Sequence, residues 1–143
     1  MWILFALSAS LFWGMSYVLS EEIYKKISVF TSLSIMSLAV FLLTLMIAYF
    51  TGNLKPDLVE IASSKRLMLY VLGGIFALLI AELFIGFSIV SKNSTLAGLI
   101  EISYPIFIAL FSYILFKNNV TTPTVIGGII IFSGVFIIYY FNH

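Results

Sequence analysis

Two glutamates, Glu82 and Glu101, stand inside strongly apolar runs that are separated only by the short polar patch at residues 92–94. If each run is a helix, the rise of 1.5 Å per residue places Glu82 about 16 Å and Glu101 about 12 Å from a turn centred near Asn93. The hydrocarbon layer of a membrane is about 30 Å thick. We therefore expect both carboxyl groups near the middle of a bilayer, on adjacent antiparallel helices.

A carboxylate at this depth needs a chemical partner. Its ionised form costs about 2.5 to 3.5 kcal/mol at the centre of a membrane helix, and none of the seven Lys and Arg residues falls inside an apolar run long enough to span a membrane. Each carboxyl group must therefore be protonated, meet water in a cavity, or bind a cation from outside the chain. A group that holds either a proton or a cationic ligand is the minimal device for proton-coupled exchange. The alternative is that one or both glutamates stay protonated and hydrogen-bond a neighbouring helix.

Small and aromatic residues accompany both carboxylates at helical spacing. In the run around Glu82, one stripe repeats every four residues and consists of Gly74, Leu78, Glu82 and Gly86. In the run around Glu101, one helical face consists of Glu101, Tyr104, Pro105, Ile108 and Ser112. Pro105 has no N–H, which frees a backbone carbonyl one turn earlier, close to Glu101. Small residues on such faces let helices approach closely or leave room for a ligand.

The first apolar run has one face formed by Ser10, Trp13, Gly14 and Tyr17, at the spacing i, i+3, i+4 and i+7. An indole N–H and a phenol hydroxyl in mid-membrane need hydrogen-bond partners, and aromatic faces can hold a cation. Trp13, Gly14 and Tyr17 are therefore candidates for substrate or proton binding. The alternative is a packing face on which Gly14 lets another helix approach.

The last apolar run contains the segment GGIIIFSG, in which Gly127, Gly128 and Gly134 mark a narrow smooth face among bulky residues. Small residues at such spacing let helices pack closely in lipid. This run is a candidate contact between subunits, and a contact within one chain is the alternative.

The composition indicates an integral membrane protein. The 143 residues are 62% hydrophobic and 9% charged, with a mean hydropathy of +1.18, whereas soluble domains are about a quarter charged. The apolar runs are long and lack the alternation of a membrane barrel, so we predict an all-α bundle of five transmembrane helices. The predicted helices cover about residues 2–20, 29–50, 67–91, 95–116 and 124–141. The first lacks a positive flank and a cleavage site, and we expect it to be retained.

The connection at residues 51–66 is the longest between predicted spans and carries both turn residues and charge. Pro56 suits a helix start, and Leu58, Ile61 and Ala62 fall on one side. The segment is therefore either a short helix at the membrane interface or a solvated loop.

The residue types exclude several kinds of chemistry. The chain has no cysteine and a single histidine, His143, at its end, so disulfides, thiol catalysis and a metal site are not expected. No nucleophile and base pair or phosphate loop is present. We expect no enzymatic activity, no cofactor beyond a possible coupling proton, and no nucleic-acid partner.

Charges in the loops leave the orientation open. One side would carry Lys25, Lys26 and Lys92, and the other would carry Lys55, Lys65, Arg66 and Lys117. This difference is almost no bias under the positive-inside rule. The chain could insert in both orientations and pair antiparallel, or the second loop could fix a single orientation.

The order of three motifs resembles the EamA domain of the drug/metabolite transporter superfamily. They are FWGMSY at 12–17, STLAGLIEISYPIFIALFSYILF at 94–116 and VIGGIIIFSGVFII at 125–138. The last segment also resembles the dimer-forming fourth helix of the small multidrug resistance proteins. The resemblance implies that Trp13, Gly14, Tyr104 and Pro105 line a central cavity.

The chain departs from the family pattern in three ways. It has one five-helix copy where full-length members usually have two in inverted orientation, Lys117-Asn118 replaces an acidic residue after the fourth helix, and the second helix lacks its usual basic residue. The domain at residues 1–143 thus resembles one half of an inverted-repeat transporter, which suggests a homodimer, antiparallel in its arrangement.

The function implied by the resemblance is export or exchange of small metabolites or drugs, cationic or amphiphilic, across the inner (cytoplasmic) membrane of a prokaryote. The protein would be multi-pass, lie in the lipid bilayer and bind a small-molecule substrate. A non-transporting membrane subunit or scaffold of a heteromeric complex is the alternative.

Overall fold

A computed structural model describes residues 1–142, and it contains seven helices and no strand over that range. His143 lies outside the described residues. The helices are α1 Trp2–Tyr24, α2 Val29–Phe50, α3 Leu54–Ser63, α4 Lys65–Ser91, α5 Ser94–Glu101, α6 Tyr104–Phe116 and α7 Thr122–Phe141.

Five helical segments of the described chain are long and apolar enough to span a membrane. They are α1, α2, α4, the combined segment Ser94–Phe116, and α7. The prediction of an all-α membrane protein with five spans is thereby confirmed. Few apolar side chains are buried, among them Val29, Ile89 and Ala97, as expected for helices whose outer surfaces face hydrocarbon instead of a water-excluding core.

The connection between the second and third spans is a short helix, so the solvated-loop alternative is wrong. α3 covers Leu54–Ser63, and Pro56 is its third residue, within the first turn where proline is tolerated. The chain turns into α3 at Gly52, whose φ of 76° is a left-handed conformation that favours glycine.

The fourth span is broken in its middle, which the prediction of one helix over residues 95–116 did not include. α5 ends at Glu101 and α6 begins at Tyr104, with Ile102 and Ser103 forming a turn between them. Pro105 explains the break, because it cannot donate to the carbonyl four residues earlier, which belongs to Glu101. The start of α5 is well defined, since the Asn93 side chain accepts a hydrogen bond from the Leu96 N–H at 2.8 Å.

The described chain divides into two compact units. The first contains residues 1–21 and the chain from residue 88 onwards, and the second contains residues 22–87. The assignment of residues 1–143 to a single domain stays a prediction. In the first unit, α7 packs against α5 and α6.

The second unit contains a close helix contact at Gly86. A Cβ atom at this position would lie 2.6 Å from Cγ1 of Val29 and 3.4 Å from the Tyr24 hydroxyl. The rings of Phe30 and Phe87 meet edge to face beside it, with centroids 5.7 Å apart. Gly86, part of the stripe predicted around Glu82, is thus a packing glycine within this unit.

We predict that Gly86→Ala destabilises the protein by about 1 to 3 kcal/mol, because the added methyl group overpacks the contact. Val29 is buried, and its β-branched side chain has little freedom to move aside. Equilibrium unfolding in mixed micelles measures the effect. Gly74→Ala is the matched control on the same helix, since nothing lies within 4 Å of the added atom. Equal stability of the two variants would contradict the close contact.

Candidate functional site

The carboxyl group of Glu101 is bound within the first unit by a tyrosine hydroxyl. Tyr17 on α1 donates from its hydroxyl to Oε2 of Glu101 at 2.5 Å. Both side chains are partly buried. The first helix and the fourth span, both named as site elements from the sequence, therefore meet at one hydrogen bond.

The backbone around Glu101 makes this position unusual. Glu101 is the last residue of α5, where the exposed carbonyl groups carry partial negative charge and disfavour an anion. α6 starts three residues later, at Tyr104, and a helix start favours an anion. A broken helix in mid-membrane is a usual place for polar ligands, because its unpaired backbone groups need partners there.

The ring of Tyr17, the partner of the carboxyl group, packs against a second aromatic ring and against α5. The rings of Trp13 and Tyr17 are 5.7 Å apart between centroids, with a tilt of 57°. Gly98 lies under the Tyr17 ring, and a Cβ atom there would be 3.3 Å from Cδ2 of the tyrosine. The absence of a side chain at Gly98 is therefore what lets the ring lie against α5, one turn before Glu101.

The remaining predicted binding residues are not partners in this hydrogen bond. Glu82 is partly buried on α4, in the second unit. Gly14 on α1 has no atom within 4 Å of an added Cβ. Tyr104 is 54% exposed at the start of α6. Their roles in binding stay predictions.

A groove separates part of α6 from α7. Its volume is about 620 Å³, and Pro105, Gly127 and Gly128 are among its lining residues. Gly128 packs within the chain, because an added Cβ would be 3.3 Å from Cγ1 of Ile106. Nothing lies within 4 Å of an added Cβ at Gly127 or Gly134. The assignment of the three glycines to a dimer contact stays a prediction, and Gly128 also has the contact within the chain that was the alternative.

Comparison with known proteins identifies the family. The sequence matches the EamA-like transporter family over residues 1–140. The chain belongs to this family. The match places it in the drug/metabolite transporter superfamily. No curated protein and no solved structure matches the chain.

Two features of this EamA protein were missing from the sequence prediction. The first is that Gly98 leaves room for the Tyr17 ring. Its position three residues before Glu101 was the sequence feature that could have indicated this contact. Glu21 accepts a hydrogen bond from the Ser94 N–H at 2.7 Å. Only the Asn93-Ser94 pair, a typical helix start, pointed to that region, and no pattern connects it to Glu21.

We predict that Tyr17→Phe destabilises this EamA protein by about 1 to 2 kcal/mol, the size of a polar contact between membrane helices. The ring stays and the hydroxyl donor is lost, so the Glu101 carboxyl group loses its partner. Tyr104→Phe is the matched control, because Tyr104 is more than half exposed. Unfolding in mixed micelles compares the two. A Tyr104→Phe loss as large as that of Tyr17→Phe would show that the hydrogen bond is not the cause.

Proposed function

We propose that this protein is a proton-coupled transporter that exports or exchanges small cationic or amphiphilic metabolites or drugs. Membership in a membrane transporter family supports transport over enzymatic activity. The observation that carries the finer proposal is the hydrogen bond from Tyr17 to Glu101 beside a broken helix. It provides an acidic group within an apolar span that is held in place by Tyr17, whose ring lies next to that of Trp13.

Competition for one carboxyl group is the centre of the mechanism. When Glu101 is ionised, it attracts a cation, and the faces of Trp13 and Tyr17 add cation–π attraction. When Glu101 takes up a proton, the charge that holds the cation is lost and the ligand leaves. Tyr17 donates to the carboxyl group and so fixes its direction. Proton and cation therefore occupy the same group in turn.

Alternating access requires that this group be exposed to each side of the membrane in turn. The turn at Ile102 and Ser103 divides the fourth span at the acidic residue. The two halves of a span that is divided at the binding residue can tilt relative to each other without bending a continuous helix. The turn is therefore the hinge of the proposed mechanism.

Glu82 is proposed as a second acidic group that binds the substrate or a proton.

One observation also suits the rival function of a non-transporting membrane subunit. The Glu101 carboxyl group has its hydrogen-bond partner within the chain, as a purely structural polar group would. Flux measurements separate the two functions, because a non-transporting scaffold would show no substrate flux even in the wild-type protein.

We predict that Glu101→Gln lowers the flux of a cationic substrate into proteoliposomes, driven by a proton gradient, by at least about 100-fold, as expected when an essential proton-transfer group is removed. Glutamine keeps the shape and can still accept from Tyr17. It cannot take up a proton. Glu22→Gln is the control, because Glu22 is an exposed carboxylate that pairs with Lys25. Flux of the Glu101→Gln protein at the level of the control would contradict the carboxylate mechanism.

We further propose a homodimer, antiparallel, in the inner membrane of a prokaryote. The described residues contain five spans, the number expected of one half of an inverted-repeat arrangement, and a second copy of the chain would pair with them as the other half. The open glycines Gly127 and Gly134 on α7 support a close contact with that copy, because they leave room for another helix.

We predict that Gly134→Leu converts the dimer to monomer, because the added side chain keeps a second helix from approaching. Native mass spectrometry from nanodiscs counts the copies. Gly73→Leu is the control, as Gly73 on α4 also has open space around it. A Gly134→Leu protein that stays dimeric would place the dimer contact elsewhere.

A further inference from the structure

Helix α1 holds both ends of α5. Near the end of α5, Tyr17 donates to the carboxyl group of Glu101 at 2.5 Å. At the start of α5, the Ser94 N–H donates to Oε2 of Glu21 at 2.7 Å. Tyr17 and Glu21 are four residues apart on α1, so they share one face of that helix. One helical face therefore contacts the first and the last residue of α5.

α5 needs these contacts more than a long helix would. It has eight residues, and isolated helices shorter than about 12 to 15 residues are marginal even with favourable sequences. Its sequence neighbours are a two-residue connection at 92–93 and the turn at 102–103, so neither end is continuous with another helix.

The contact at the start of α5 is enclosed. Ser94 is 6% exposed, and Ser20, the residue before Glu21, is 5% exposed. Ala97, one turn into α5, is also buried. A carboxylate that accepts from the first N–H of a helix also lies at the favourable end of the helix dipole. The position of the start of α5 is therefore fixed by a hydrogen bond from the backbone of the buried Ser94 to the partly buried carboxyl group of Glu21.

We propose that Glu21 is a positioning residue for Glu101. It fixes the start of α5 on α1. Because α5 has only eight residues, the position of its start determines where its last residue lies, so that the Glu101 carboxyl group reaches the Tyr17 hydroxyl. The inference rests on the proposed function only for its consequence in transport. The coupling between the two ends of α5 is a property of the fold and is measured without any substrate.

The test places 3-fluorotyrosine at position 17 of the full-length protein in nanodiscs and records its fluorine resonance. Glu101→Ala, which removes the acceptor, gives the reference shift for the lost hydrogen bond. Two variants remove the contact at the other end of α5. Glu21→Ala removes its acceptor. Ser94→Pro removes its donor, and proline suits the first residue of a helix, where Ser94 stands.

Each variant has a matched control that keeps the contact. Glutamine in Glu21→Gln can still accept from the Ser94 N–H, and Ser94→Ala keeps that N–H. Ser94→Pro is also compatible with the residue before it, because Asn93 is extended, with φ of −173° and ψ of 167°. It therefore tests the proposal even if Glu21→Ala fails to fold.

We expect Glu21→Ala and Ser94→Pro to move the Tyr17 resonance at least halfway to the Glu101→Ala position, with both controls at the wild-type position. Amide exchange at Ser94 should quicken by roughly fivefold in Glu21→Ala, the factor expected for a lost helix cap. Faster exchange at Ser94 with an unmoved Tyr17 resonance would overturn the proposal, because Glu21 would then act only as a cap. An unchanged rate and resonance would overturn it as well.

The same variants separate this proposal from the proposed function. A shifted Tyr17 resonance in a protein without flux would leave the positioning role of Glu21 in place and remove the transport mechanism. Normal flux together with an unmoved resonance in Glu21→Ala would remove the positioning role of Glu21 and leave the transport mechanism in place.

Discussion

An acidic side chain in the middle of an apolar span has to be given a partner by the chain or by a ligand. In this protein the partner within the chain is the Tyr17 hydroxyl, which donates to Glu101. Much of the first unit follows from that bond. The bond joins α1 to α5, and Gly98 leaves room for the tyrosine ring against α5. The end of α5 at the acidic residue comes from Pro105. A glutamate with a purely structural role would also need the contact with α1 and the space at Gly98. The break in the helix is an additional feature, because Pro105 gives the Glu101 carbonyl no N–H, and a polar ligand can use such a backbone group.

The break also divides the fourth span into two helices of different length, α5 and α6. α5 is short, and its start is tied to α1 through Glu21 and Ser94. α6 is longer, and both halves of the span pack against α7, which carries the open glycines that support a dimer contact. In the proposed mechanism, the turn between the two halves lets them change their tilt relative to each other.

The sequence predicted the spans well and the details of packing less well. Hydropathy and length were sufficient for the five apolar segments, because the thickness of the bilayer sets their size. Trp13, Tyr17 and Glu101 were candidate site residues in the sequence, and in the structure Tyr17 contacts both Trp13 and Glu101. The end of α5 at Glu101 was only indicated by Pro105, since proline in a membrane span either kinks or breaks the helix according to its neighbours. The contact of Glu21 with Ser94 joins residues far apart in the chain, and no local pattern records it.

The central claim is that a proton and a cationic ligand use the same carboxyl group. Proton release on ligand binding tests it most directly, with purified protein in weakly buffered detergent, a pH indicator and a panel of organic cations, amino acids and neutral metabolites. For a cation that binds, the account predicts that the wild-type protein, started with its acidic groups protonated, releases protons and that Glu101→Gln releases fewer by about one per chain. Equal release from the wild-type and Glu101→Gln proteins, with the ligand bound by both, would contradict it.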